Sequence, residues 1–158
     1  MNVEQVAEML TAQDRRVSVA EADTCGLLGY LFSTVPGSSR WFPGGVIAYT
    51  GGLKQSVLGV PDEVYKNKGS VSPEVAISMA TGARDLTSTD YALSVTGVAG
   101  PTGGRPGIPI GTFYIGIAGP DGLEEAERIE TGSTERDANK RAAAQAAIDL
   151  LGKYLSSG

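Results

Sequence analysis

The sequence predicts an α/β protein, a three-layer α/β/α sandwich on a mixed β-sheet. Three observations carry this. In the first half of the chain, short β-branched runs alternate with amphipathic helical patterns. Two further strand patterns then bracket a Pro-Asp-Gly turn, and a long Ala- and Leu-rich helical pattern follows. Alternating elements give parallel strands, a hairpin adds an antiparallel pair, and helices cover both faces.

Taken in order, Val3, Val6, Ala7 and Leu10 recur at helical spacing and predict a helix over residues 2–13. "RVSVAEA" alternates as a buried strand. A second helix is expected over residues 25–34, stopped by Pro36-Gly37. In "FPGGVIAYT", Val46, Ile47 and Tyr49 predict a strand after the glycines. "GLKQSVLGV" reads as a short helix closed by Gly59 and Pro61. In "SPEVAISMATGARDL", Ser72 is placed to cap a helix, with Pro73 at its first position and Glu74 in its first turn. "DYALSVTG" is a buried strand, and "GTFYIGIAG" and "EEAERIET" form a hairpin around "PDG". The last helix is expected over residues 134–156, with Ser133 or Thr134 as its cap and Ala142–Ala144, Ala146, Ala147, Leu150, Leu151 and Leu155 on its apolar face. The order is α β α β α α β β β α.

A length of 158 residues fits one domain over 1–158, large enough to bury a core without disulfides or metals. With 41% hydrophobic and 20% charged residues, the chain has an ordinary globular composition. A net charge of −5 argues against nucleic acid as a partner, because that affinity rests on Lys and Arg, but it leaves room for a local basic pocket. The single cysteine, Cys25, cannot form an internal disulfide, which points to a reducing, cytoplasmic setting. "MNVEQVAEMLTAQ" is not a signal peptide, and no run approaches the roughly 18 apolar residues of a membrane span. No histidine occurs anywhere. Ser-His-Asp triads, Cys-His pairs and His-ligated zinc are therefore excluded within this chain. A base must come from Lys, Asp, Glu, Tyr or an N-terminal amine.

Four segments can carry chemistry. "EADTCG" follows a strand and opens a helix, where free amides can meet an anion or an oxyanion. Thr24 and Cys25 are both possible nucleophiles there. Equally, Asp23 or Thr24 is a plain helix cap and Cys25 a small buried hydrophobe. "AYTGGLK" places Tyr49 at a strand end and Lys54 near a helix start. Without histidine, Lys54 leads as general base, against the plain reading of a solvated lysine. The stretch 97–111 holds six glycines and three prolines; it is either a backbone nest for a ligand or a rigid turn. It matches no nucleotide-triphosphate motif. Arg136, in "TGSTERDANKR", can reach a phosphate or carboxylate, or merely line a wet helix face.

Together these segments resemble the CinA C-terminal domain family, whose stand-alone members are nicotinamide-nucleotide amidases. The resemblance spans about residues 3–155. It rests on Ala20-Glu21 with Thr24 and Gly26, "PGSSRWFPGGVIAY", "LKQSVLGV", "GSVSPEVAISMATGAR", "TGVAGPTGG" and "IGTFYIG" in that order. It implies a single α/β/α domain that is often a homodimer. It also implies hydrolysis of nicotinamide mononucleotide to nicotinate mononucleotide and ammonia by a serine hydroxyl and a lysine, without metal or organic cofactor.

Where the family pattern reads A-E-S-C-T-G-G, this chain reads A-E-A-D-T-C-G, so Ala22 stands at the serine position. Where the family commonly has Y-S-N-E-x-K, this chain has Y-T-G-G-L-K, keeping Tyr49 and Lys54. One reading is an amidase with a rearranged centre. In it Thr24 or Cys25 attacks, Lys54 accepts the proton, Tyr49 assists, and amides near Gly26 or Thr96-Gly97 hold the oxyanion. Glu21, Gly100, Gly103, Gly104 and Arg136 then complete a pyridine-nucleotide site. A second reading is a non-catalytic relative that binds a nucleotide or serves as a dimeric module. A third is a hydrolase for another small substrate, with Asp23 as base for a water. It is the weakest, because an Asp beside a helix N-terminus has a lowered pKa.

Overall fold

Period-two alternation along strand β1 (Val17–Glu21) organises the molecule. Val17 and Val19 join one core, while Ser18 and Ala20 turn to the opposite face. β1 pairs in parallel with β2 (Gly45–Ile47) and with β3 (Tyr91–Gly97). β3 then runs antiparallel to β4 (Thr112–Ala118), and β4 to β5 (Glu124–Glu130). The result is a mixed five-stranded sheet in the order β2-β1-β3-β4-β5. The computed structural model describes residues 1–157.

Helices α1 (Val3–Ala12), α2 (Leu27–Ser33) and α6 (Arg136–Leu155) cover one face. Val6, Leu10, Leu28, Phe32, Ile148 and Leu151 meet Val19, Leu93, Val95 and Ile115 of the sheet there. Phe32 also packs edge-on against Trp41 and Phe42, with ring centroids 5.5 and 5.3 Å away, which anchors the chain between α2 and β2. The other face carries α5 (Pro73–Thr87), preceded by α3 (Gly51–Ser56) and α4 (Asp62–Lys68). Val75, Met79 and Ala83 pack there against Ala20, Ala48, Leu58 and Ala92. The expected three layers are present.

Ser72 caps α5 as expected, its Oγ accepting from the Val75 amide at 3.3 Å. Three details differ from the sequence reading. α2 starts at Leu27, two residues late, because Cys25 and Gly26 both take left-handed backbone, with φ of 50° and 95°. α4 is an additional helix. Its signals were Asp62 and Glu63 in the first turn and Lys66 and Lys68 in the last, which suit the helix dipole. α6 begins at Arg136 after an uncapped Glu135, while Ser133 Oγ accepts the Glu135 amide at 3.0 Å.

The glycine-rich segment connects β3 to β4 inside the domain. It turns back on itself where the Arg105 and Ile108 amides each donate to the other's carbonyl, at 3.0 and 2.9 Å. The buried Asn139 amide ties it to α6, donating to the Ala99 and Ser133 carbonyls at 2.9 and 3.0 Å. Among the described residues, no helix is long and apolar enough to cross a membrane.

Candidate active site

Ligand sites of open α/β sheets form where parallel strands end, and the ends of β1 and β3 meet here. Alternation along β3 sends Ser94 and Thr96 toward the α5 layer. Thr96 thereby faces Lys54 from α3 and Ser70 from the turn before α5. Lys54 is only 2% exposed, which is unusual for lysine. Its Nζ donates to Ser70 Oγ at 2.7 Å, to Thr96 Oγ1 at 3.0 Å and to the Ser70 carbonyl at 3.4 Å. Burial lowers its pKa from 10.5 to about 8, against the opposing charge of Asp23. The solvated-lysine reading is therefore wrong for Lys54.

Asp23 turns away from α2. Its Oδ2 accepts the Gly97 amide at 2.8 Å, which ties the ends of β1 and β3 together. Burial raises the Asp23 carboxyl above its ordinary value; the Gly97 amide and the charges of Lys54 and Arg136 pull it back. This reverses the expectation of a lowered pKa, for a geometric reason. The α2 amides that would have lowered it are held by Glu21. Glu21 Oε2 accepts from Gly26 and Leu28, each at 3.0 Å, and Oε1 accepts from Gly29 at 2.8 Å.

Glu21 and Gly26 therefore form an internal helix cap, and the α2 N-terminus presents no open anion site. The Gly97 amide is likewise taken, by Asp23. Neither amide sought as an oxyanion donor is free in this conformation. Gly97 is needed for packing, since a Cβ there would lie 2.1 Å from the Phe113 ring.

Both nucleophiles weighed from sequence lie apart from Lys54's hydrogen bonds. Thr24 is 3% exposed, and its hydroxyl has no partner among the described residues. Cys25 is exposed rather than buried, with no bond to Lys54. Tyr49 is 48% exposed and is joined to Arg136, whose guanidinium donates to Tyr49 Oη at 2.8 Å and to the Gly100 carbonyl at 2.7 Å. Arg136 thus spans β2, the glycine-rich segment and α6. Gly100, at φ 81°, has no room for a side chain, because a Cβ would lie 2.4 Å from Ile110. Gly103 and Gly104 continue that turn.

Ser70 was missed from sequence. Its partner Lys54 lies 16 residues away across a helix, so no local spacing signalled it. Two clefts, of about 510 and 600 Å³, lie elsewhere, one between α1 and Val35–Trp41 and one against Arg105–Ile110. Neither is lined by Lys54, Asp23 or Arg136. Among the described residues, no three acidic or thiol side chains group as a metal site.

A family model described as the CinA C-terminal domain matches residues 2–155. The chain belongs to the CinA C-terminal domain family. A CinA-like protein of Synechococcus sp. is 44% identical over 150 residues, covering 95% of this chain and 36% of that protein. A putative competence-damage inducible protein of Desulforudis audaxviator is 47% identical over 113 residues, covering 72% of this chain and 27% of that protein. The chain thus spans about a third of the length of these curated relatives. Among solved structures, a CinA superfamily protein of Klebsiella pneumoniae superposes with a TM-score of 0.93 at 28% identity, covering 100% of both chains. A competence/damage-inducible protein of Agrobacterium tumefaciens gives 0.90 at 30% identity over 98% of this chain and 95% of that one. The α/β/α fold is that of the CinA superfamily.

Proposed function

We propose that this CinA domain hydrolyses the carboxamide of a pyridine nucleotide, nicotinamide mononucleotide, to the carboxylate and ammonia. One observation carries the reading: Lys54 is a buried amine, lowered to about 8 and held against two hydroxyls. Such a lysine is a general base near neutral pH, when roughly a tenth of it is deprotonated. Amide hydrolysis by a hydroxyl and a lysine needs no histidine, and this chain has none. Arg136 adds a fixed cation suited to the nucleotide phosphate. The family resemblance supplies the substrate. The test is ammonia release from nicotinamide mononucleotide by the purified protein. Release no faster than with heat-inactivated protein overturns the reading.

The second reading, a relative that binds the nucleotide without turnover, is favoured by Ala22 at the family's serine position. It predicts that nicotinamide mononucleotide raises the Tm, because a ligand selective for the folded state stabilises it, while no ammonia appears. A cytoplasmic homodimer belongs to both readings. Exposed Ile47 of the edge strand β2, Leu53 of α3, and Tyr49 and Val57 just beyond these elements offer apolar surface to a second copy.

A further inference from the structure

We infer that Ser70 is the nucleophile of this domain, with Lys54 as its base, so that the attacking hydroxyl stands before α5 rather than at the β1–α2 turn. The inference rests on the amidase reading for its substrate, but on geometry alone for the residue.

Of the hydroxyls bonded to Lys54, Thr96 is committed. Its Oγ1 donates to the Ser70 carbonyl at 2.8 Å, and the residue is fully buried. Ser70 Oγ lies 2.7 Å from Lys54 Nζ, and its own proton has no other acceptor among the described residues. Once Lys54 is neutral, its lone pair is the acceptor for that proton. Ser70 is also only half-buried, so a substrate can reach it. The turn is held from both sides. The Ser70 carbonyl is bonded to Thr96, and Ser72 Oγ donates to the Gly69 carbonyl at 3.1 Å while accepting from Val75. A hydroxyl on so constrained a turn is pre-positioned. Neither Thr24 nor Cys25 is bonded to Lys54, and Thr24 is buried.

In the reaction, Ser70 Oγ bonds to the carboxamide carbon as its proton passes to Lys54. The carbon–nitrogen bond then breaks, Lys54 returns the proton to the leaving nitrogen, and ammonia departs. Water attacks the resulting Ser70 ester and gives a proton to Lys54. The ester bond breaks, the proton returns to Ser70 Oγ, and the carboxylate leaves.

An alkyl fluorophosphonate tests the residue without the substrate. Attack by Ser70 Oγ on phosphorus expels fluoride and passes the proton to Lys54. Intact-mass and peptide mapping are expected to place one label on Ser70, lost in Ser70→Ala and in Lys54→Met, both checked for native circular dichroism. Ammonia release is expected to fall on the order of 10⁴-fold in Ser70→Ala and to change less than about threefold in Cys25→Ala. A label at Thr24 or Cys25, no label at all, or turnover surviving in folded Ser70→Ala overturns the proposal. A label on Ser70 with no ammonia from nicotinamide mononucleotide upholds the nucleophile and overturns the substrate reading.

Discussion

Glu21 Oε1 accepts the Gly29 amide at 2.8 Å, so the last residue of β1 closes the first turn of α2. With its other oxygen on Gly26 and Leu28, this one carboxylate satisfies three amides that helix geometry leaves without partners. It couples sheet to helix across the β1–α2 turn.

The Glu21→Ala variant is accordingly expected to lose about 3 kcal/mol of stability, and Glu21→Gln less, because charge-assisted bonds to buried amides exceed neutral ones. Chemical denaturation measures this. Folded Glu21→Gln should keep its kcat within a few fold, since the carboxylate faces helix amides and not the reacting centre.

Asp23→Asn tests the electrostatics. The Asp23 charge holds Lys54 up against burial. Removing it favours the neutral amine, while the amide oxygen can still accept from Gly97. The acid limb of the kcat/KM profile, expected near pH 8 in the native protein, should move to lower pH by roughly half a unit to one unit. An unmoved or upward-shifted limb would count against Lys54 as the titrating base.

Lys54 also leaves a signature in stability. Its pKa is 10.5 when unfolded and about 8 when folded, so between these values the unfolded chain binds the extra proton. Stability therefore rises with pH across that window, and below pH 8 the full cost of burying the charge, about 3 kcal/mol, is present. Lys54→Met should abolish ammonia release yet be no less stable than the native protein at pH 7. The difference in unfolding free energy between the two should shift toward the native protein as pH rises from 8 to 10.

Arg136→Ala should weaken binding of nicotinamide mononucleotide about tenfold or more, and binding of the phosphate-free riboside by much less. Calorimetric titration with both ligands distinguishes a phosphate contact from loss of the Tyr49–Gly100 brace, which would weaken both equally.

Much of the fold was legible because its signals are local. Alternation in "VSVAE" and the Ser72-Pro73-Glu74 start of α5 each lie within a few residues, and each structure follows its pattern. α4 escaped because its seven residues between Pro61 and Gly69 offer only Val64 and Tyr65 to the core, too few for a helical apolar stripe, so its charge placement was the signal that marked it. Lys54 was legible by elimination, since a chain without histidine leaves few bases.

By itself, then, the sequence determined the layers, the strands, the domain family and the lysine. Tertiary structure decided which groups Lys54 touches and which amides are spent. Ser70 and Lys54 are separated by a helix, Asp23 and Gly97 by 74 residues, and Glu21's choice of α2 over a ligand depends on two left-handed residues at Cys25 and Gly26. Such contacts arise when strands and helices pack. Hydrogen bonding and desolvation act through space, so the nucleophile and the lowered lysine became visible only once the chain had folded.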